Sequence, residues 1–285
     1  MLNYYIYRFG QFISLILPLR LVYAVAVFLA DLHYIFAPRD RGFVKNNLAV
    51  IFPERSRGEL RRISIMVFRN FAKYLVDFFR FEKLNRKYID KKIKLEGMHH
   101  FEAALSAGKG AVVLTAHLGN WELGGVVIAQ LGYPFWVVAL PHKSKKVNDF
   151  FDSQRSSKGV KVIAMGKAVR SCISEIRNNH LVALVGDRDF TGKGMLVDFF
   201  GKPTHFPEGP AALSLMTGAP IIPGFMLRNP DDSFTLRIEK PVEFSPTGDR
   251  AKDMVTLVAA YKNIFEDYIR KYPEQWYVFR RFWAR

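Results

Sequence analysis

Between residues 93 and 271 short apolar runs alternate with amphipathic stretches, and this alternation constrains the fold more than any other feature of the chain. Runs of four to six apolar residues, too short for helices, read as buried strands. The spacing predicts strands at 93–96, 111–116, 135–140, 160–164, 181–186, 196–200, 220–227 and 234–243. It predicts helices at 99–107, 120–131, 145–157, 166–178, 208–217 and 250–271. Strands that alternate with helices fold into an α/β domain with a mostly parallel central sheet flanked by helices. With 285 residues, the chain is long enough to bury such a sheet on both faces.

The amino-terminal part is different. Residues 12–37 are apolar, but Pro18, Arg20, Asp31 and His33 interrupt them. The longest clean run, 21–30, is half of the roughly 20 residues that a spanning helix needs. Two short helices lying in one leaflet, with Arg8 and Arg20 at headgroup level, fit this pattern. A helical hairpin packed on the domain is the alternative. The expected organisation is a membrane-associating helical segment over 1–38 and one α/β domain over 39–285.

The formal charge is +16, and residues 39–94 hold 16 Lys or Arg against 6 Asp or Glu. Within them 57–81 reads as one long helix, with Arg61, Arg62, Arg69, Lys73 and Arg80 beside an aromatic stripe. Cations interleaved with rings suit a lipid headgroup layer. A nucleic acid could use the same charge, and so could a plain solvated face. The carboxyl-terminal 271–283 repeats the mixture of rings and arginines. The single cysteine, Cys172, excludes an internal disulfide and a cysteine-rich zinc site.

His117-Leu118-Gly119-Asn120-Trp121-Glu122 carries the chemistry. It joins the strand at 111–116 to the following helix, so His117 falls at the carboxyl end of a sheet strand, where open α/β sheets bind ligands. Histidine moves protons near neutral pH, and a carboxylate on its far nitrogen fixes the tautomer. Glu122, in the first helical turn, is the candidate carboxylate. A surface ion pair is the bland reading of the same spacing. A second strand ends in Gly186-Asp187-Arg188-Asp189. Here Asp187 and Asp189 could hold Arg188 so that its donor fork meets a phosphate or carboxylate; a loop ion cluster is the alternative. Arg155 could bind phosphate or cap its helix. Glu208 and Gly209 open another helix whose free amides could hold an anion. Amides near Gly119 and Gly209, or an arginine, could stabilise an oxyanion. There is no GxSxG elbow, no phosphate loop and no HExxH. Neither Ser nor Cys accompanies His117, and Cys172 is expected to have no catalytic role.

Taken together, HLGNWE at 117–122, GDRD at 186–189, DFFGKP at 198–203, PEGPA at 207–211, TGAPIIP at 217–223 and QWYVFRRF at 275–282 resemble the bacterial lipid A biosynthesis acyltransferase family. The family is part of the wider glycerolipid acyltransferase superfamily. An upstream Arg41-x-x-Val44-x-x-Asn47-Leu48 and Phe52-Pro53 fit too, and the actinobacterial phosphatidylinositol-mannoside acyltransferases look equally similar. The resemblance implies transfer of a fatty acyl chain from acyl-CoA or acyl carrier protein to a glycolipid hydroxyl at the cytoplasmic membrane face, with no cofactor or metal. It puts catalysis on His117 as general base oriented by Glu122. Asn120, Arg155, Asp187, Arg188, Asp189, Glu208 and Gly209 are the expected substrate-binding residues. A lysophospholipid acyltransferase is the nearer rival. A non-catalytic basic protein explains the charge but not HLGNWE beside GDRD, so no nucleic-acid partner is expected.

Overall fold

The computed structural model describes residues 2–164, 168–190, 192 and 194–283. Helices α1 (Leu2–Ile16), α2 (Leu19–Phe36), α3 (Pro38–Ile51) and α4 (Arg57–Phe79) come first, followed by a 3₁₀ turn (Phe81–Lys83) and α5 (Arg86–Lys92). Then come β1 (Ile93–Glu96), α6 (His99–Ser106), β2 (Ala111–Thr115), α7 (Trp121–Gln130), β3 (Phe135–Ala139), α8 (Lys145–Ser156), β4 (Lys161–Ala164), α9 (Ala168–Arg177) and β5 (Leu181–Val185). A hairpin of β6 (Met195–Phe199) and β7 (Lys202–Phe206) precedes α10 (Gly209–Thr217), β8 (Ile221–Arg228), β9 (Phe234–Ile238) and α11 (Arg250–Lys271).

The main sheet has the order β1-β9-β8-β2-β5-β3-β4. It is parallel apart from the β8–β9 pair, and helices cover both faces. The two-residue period of a strand splits β2 between two cores. Val112 and Leu114 join the layer of α9, α10 and α11, while Ala111 and Val113 join that of α6, α7 and α8.

Local chemistry sets most element ends. Ser56 and Glu59 form a reciprocal capping box at the start of α4, the arrangement that satisfies two orphan amides at once. Gly218 ends α10 in the left-handed conformation (φ 72°) that favours glycine. The strand expected over 234–243 stops at Ile238; Pro241, three residues on, has no amide to continue the ladder. Three elements carry too little apolar periodicity to be read in advance: α3, the polar α5 and β7. Residues 166 and 167 of the expected helix 166–178 lie outside the described residues.

Pro18 divides α1 from α2. Alone among the described helices, α2 is long and apolar enough to cross a membrane, with mean hydropathy 1.6 over 18 residues. One side of α2 packs along α4 and is tied to it by the Arg69–Asp31 pair (2.7 Å). The other side is bare: Phe28, Leu29, Ile35 and Phe36 are exposed, as are Phe9, Phe12 and Ile16 of α1.

Candidate functional site

His117 and Asp187 each lie two residues beyond a strand, β2 and β5, which are neighbours in parallel register with Thr115 beside Val185. The register therefore brings the two side chains together at the carboxyl edge of the sheet. His117 Nδ1 donates to Asp187 Oδ1 at 2.6 Å, because an ionised carboxylate only accepts. The Oδ2 atom accepts from Trp276 Nε1 at 3.0 Å. Burial alone would raise the Asp187 pKa, but His117, Arg188 and the Trp276 hydrogen bond outweigh it and hold the carboxyl well below its ordinary range. Asp187 is thus a fixed anion, and the second imidazole nitrogen of His117 is left for chemistry.

A carboxyl-terminal strap clamps this pair. Tyr277 N donates to the His117 carbonyl at 3.0 Å, and Gly119 N donates to the Gln275 carbonyl at 2.9 Å. Gly119 needs its left-handed φ of 65°, since a Cβ there would lie 2.1 Å from the Met226 carbonyl oxygen. Because its amide is already engaged, Gly119 is not the oxyanion donor expected from the sequence.

The carboxylate on His117 is therefore Asp187 and not Glu122. Glu122 points from the first turn of α7 toward α8, where both its oxygens accept from Arg155 (Nε 2.9 Å, Nη2 2.6 Å). Arg155 also reaches Asp152 at 3.1 Å, so it is neither a plain helix cap nor an unengaged phosphate ligand. Asn120 was expected at the substrate; instead it is buried. Its Oδ1 caps α7 by accepting from Leu123 N (3.1 Å), and its Nδ2 donates to Asp77 Oδ2 (2.8 Å). Asp187 and Asp189 do not jointly grip Arg188. Asp189 accepts from Gly194 N (2.8 Å), and Asp187 Oδ2 lies 3.8 Å from Arg188 Nε. What holds the guanidinium is the Tyr277 carbonyl, which accepts from its Nη2.

Even so, most of the expected residues share one space. A cavity of about 750 Å³ is lined by His117, Glu122, Arg155, Arg188, Asp189, Glu208 and Gly209. It continues between α7 and the sheet as an apolar groove. Ile238, Gly224, Thr115, Val185 and Ala139 form its floor, one each from β9, β8, β2, β5 and β3. Five adjacent strands at about 4.8 Å spacing span about 19 Å. Glycine keeps the groove open: a Cβ on Gly224 would come within 3.1 Å of Ile238 Cδ1, and one on Gly125 within 3.1 Å of Phe135 Cε1. Cys172 lines the same cavity, and burial pushes its thiol up to about 11, which makes it a poor nucleophile at neutral pH.

A carboxylate-held imidazole at the carboxyl edge of a parallel sheet, above a long apolar groove rimmed by arginines, has the chemistry that proton transfer beside a long apolar ligand needs. Known proteins place the chain further. It matches, over residues 1–285, the family described as bacterial lipid A biosynthesis acyltransferase. It is 36% identical over 160 residues to the phosphatidylinositol mannoside acyltransferase of Mycobacterium tuberculosis, covering 54% of this chain and 51% of that protein. To the protein of the same name in Mycolicibacterium smegmatis it is 28% identical over 218 residues (75% of this chain, 70% of that one). To the lipid A biosynthesis palmitoleoyltransferase of Escherichia coli it is 26% identical over 259 residues (88% and 81%). The chain belongs to the bacterial lipid A biosynthesis acyltransferase family. Its match spans about half the length of the Mycobacterium tuberculosis relatives, 51% of each.

Proposed function

We propose that this protein transfers a fatty acyl chain from a thioester, acyl-CoA or acyl carrier protein, to a hydroxyl of a membrane glycolipid such as a lipid A precursor or a phosphatidylinositol mannoside. The observation that carries this reading is the His117–Asp187 pair, 2.6 Å apart, at the mouth of an apolar groove. The names of the relatives point to the same two glycolipid classes.

His117 Nε2 takes the proton of the acceptor hydroxyl as its oxygen attacks the thioester carbonyl carbon. Asp187 supports the imidazolium that forms and keeps Nε2 aimed at the cavity. Charge gathers on the carbonyl oxygen and is met by Arg188 and by the amino end of α10, which line the same cavity. The carbon–sulfur bond then breaks, and His117 returns the proton to the leaving thiolate. Base catalysis of this kind contributes about 10² to 10⁴ in rate. The acyl chain lies in the groove under α7, where apolar surface is removed from water. The Glu122–Arg155 pair fixes the wall of the groove where α7 meets α8.

The bare side of α1 and α2 rests in the bilayer interface, with Arg8 and Arg20 toward the phosphates. On this reading the protein works at the cytoplasmic face of the membrane, where its thioester donors are found.

The test is direct. Full-length protein in mixed micelles is given lauroyl-CoA or lauroyl-acyl carrier protein with a phosphatidylinositol mannoside or a lipid A precursor. Thiol release that depends on the acceptor, and a product heavier by one lauroyl group in mass spectrometry, support the reading. Thiol release that ignores the acceptor, or none with either acceptor and either donor, contradicts it.

A further inference from the structure

Arg188 lines the cavity, and Arg280 stands over the ring of Phe190, which lines it too. The Arg188 guanidinium is mostly buried and donates Nη2 to the Tyr277 carbonyl. Among the described residues its Nε has no hydrogen-bond partner, and Asp187 Oδ2 lies 3.8 Å from it. Arg280 comes from the strap three residues after Tyr277. Its guanidinium carbon lies 5.3 Å from the centre of the Phe190 ring, and among the described residues no carboxylate pairs with it. The Phe190 ring in turn lies 6.3 Å from the His117 ring. Burial, joined by repulsion from Arg280, pushes the Arg188 pKa down against the pull of Asp187. An anion placed between the two guanidiniums would relieve that repulsion and accept from their remaining N–H groups.

The surroundings give this pair a direction. Phe279, next to Arg280, packs on Phe68 at 5.0 Å. Phe68 packs on Tyr34 of α2 at 5.1 Å, and the next two residues, Ile35 and Phe36, are exposed. Arg280 thus stands between the imidazole and the bare apolar end of α2. Asn47 fixes the strap by donating to the Arg280 carbonyl at 2.8 Å and accepting from Phe282 N at 3.2 Å.

We propose that Arg188 and Arg280 form a phosphate subsite beside His117 that holds a phosphate group of a substrate during acyl transfer. The proposal rests on the acyl-transfer reading for its setting. The phosphate belongs either to the glycolipid acceptor, arriving from the bilayer past α2, or to the donor.

Full-length wild type, Arg280→Gln and Arg280→Lys are compared in two arms. One sets a phosphatidylinositol mannoside against a phosphate-free mannosyl diacylglycerol as acceptor. The other sets lauroyl-CoA against lauroyl-N-acetylcysteamine as donor. In the arm that carries the phosphate, wild type prefers the phosphate-bearing compound in kcat/KM by about tenfold or more, the size of a charged hydrogen bond. Arg280→Gln brings that preference close to one through a rise in KM, and Arg280→Lys keeps part of it. The arm that responds identifies the source. Losses equal with and without phosphate in both arms, or no loss in either, overturn the subsite. Calorimetry with inorganic pyrophosphate gives a readout that needs no turnover: binding by wild type that weakens at least fivefold in Arg280→Gln supports the subsite, and equal binding by both overturns it. A protein that binds pyrophosphate in this way yet transfers no acyl group would refute the acyl-transfer reading alone.

Discussion

Two buried aspartates, Asp77 and Asp187, hold this molecule together in different ways. Asp77, on α4, accepts from Tyr23 of α2, from Arg228 of β8 and from Asn120 at the start of α7. Its main partner, Arg228, is a permanent cation; burial opposes the charge of that guanidinium, but Asp77 and Tyr23 outweigh it and hold its pKa above the ordinary range. Burial raises the Asp77 pKa from its ordinary value against the pull of Arg228, and Asp77, Tyr23, Arg228 and Asn120 are all buried. Asp187 is buried too, but its main partner is His117, which lines a cavity. The first aspartate joins helices to the sheet; the second, on the proposed reading, prepares a base. Asn120 links them, since it lies three residues after His117 and bonds Asp77.

The comparison is sharpest where each aspartate is removed. Asp77→Asn leaves the buried Arg228 with only the partly exposed Asp232, at 3.1 Å, as counter-ion, and breaking a buried pair costs up to about 3 to 5 kcal/mol. Urea unfolding should show that loss, with residual activity falling only in proportion to the folded fraction. A drop in turnover much larger than the loss of folded protein would place Asp77 in the chemistry and erase the distinction.

Asp187→Asn should do the reverse. Turnover falls about 10² to 10⁴-fold, as when a triad carboxylate is neutralised, while the protein stays folded at neutral pH. Acid sharpens the test. The folded Asp187 pKa is depressed, so its contribution to stability is present above the unfolded value of about 3.9 and is lost as pH falls toward the lower folded value. Urea midpoints measured down from neutral pH should drop less below about pH 4 in the variant than in wild type. Identical acid profiles would contradict the assignment.

Much of the fold was legible because β2 and β8 are buried on both faces, β5 is buried at its start and partly buried beyond, and all three read as continuous apolar runs. The hairpin strand β7 was not, since Lys202, Pro203 and His205 are exposed and leave only Thr204 and Phe206 inward. At the site, sequence spacing placed His117 but misassigned its partner. Glu122 is five residues away along the chain, whereas Asp187 is brought in by strand register 70 residues on, which local spacing cannot show. The signal was nevertheless present, in two apolar runs that each end in a polar residue at the same offset, 115 to 117 and 185 to 187. The role of Gln275, Trp276 and Tyr277 as a clamp had no such signal, because it depends on where the strap folds back.

Smaller effects separate the groove from the mouth. Gly224→Val should fill the groove beside Ile238 and shift donor preference toward shorter acyl chains, by about tenfold in the ratio of lauroyl to palmitoyl thioesters, a difference of a few buried methylenes. An unchanged chain-length profile would place the acyl chain elsewhere. Arg188→Lys keeps the charge but loses the fork. It should raise KM several-fold with little change in the length profile, so steady-state kinetics can distinguish it from the glycine variant.

The proton-transfer role of His117 is the centre of the account, and its most direct test is acceptor-dependent thiol release by purified His117→Ala at matched folded concentration. The predicted result is a fall of at least about a hundredfold, with an unfolding midpoint close to wild type and undiminished binding to lipid vesicles. Release at the wild-type rate from the folded variant would contradict it.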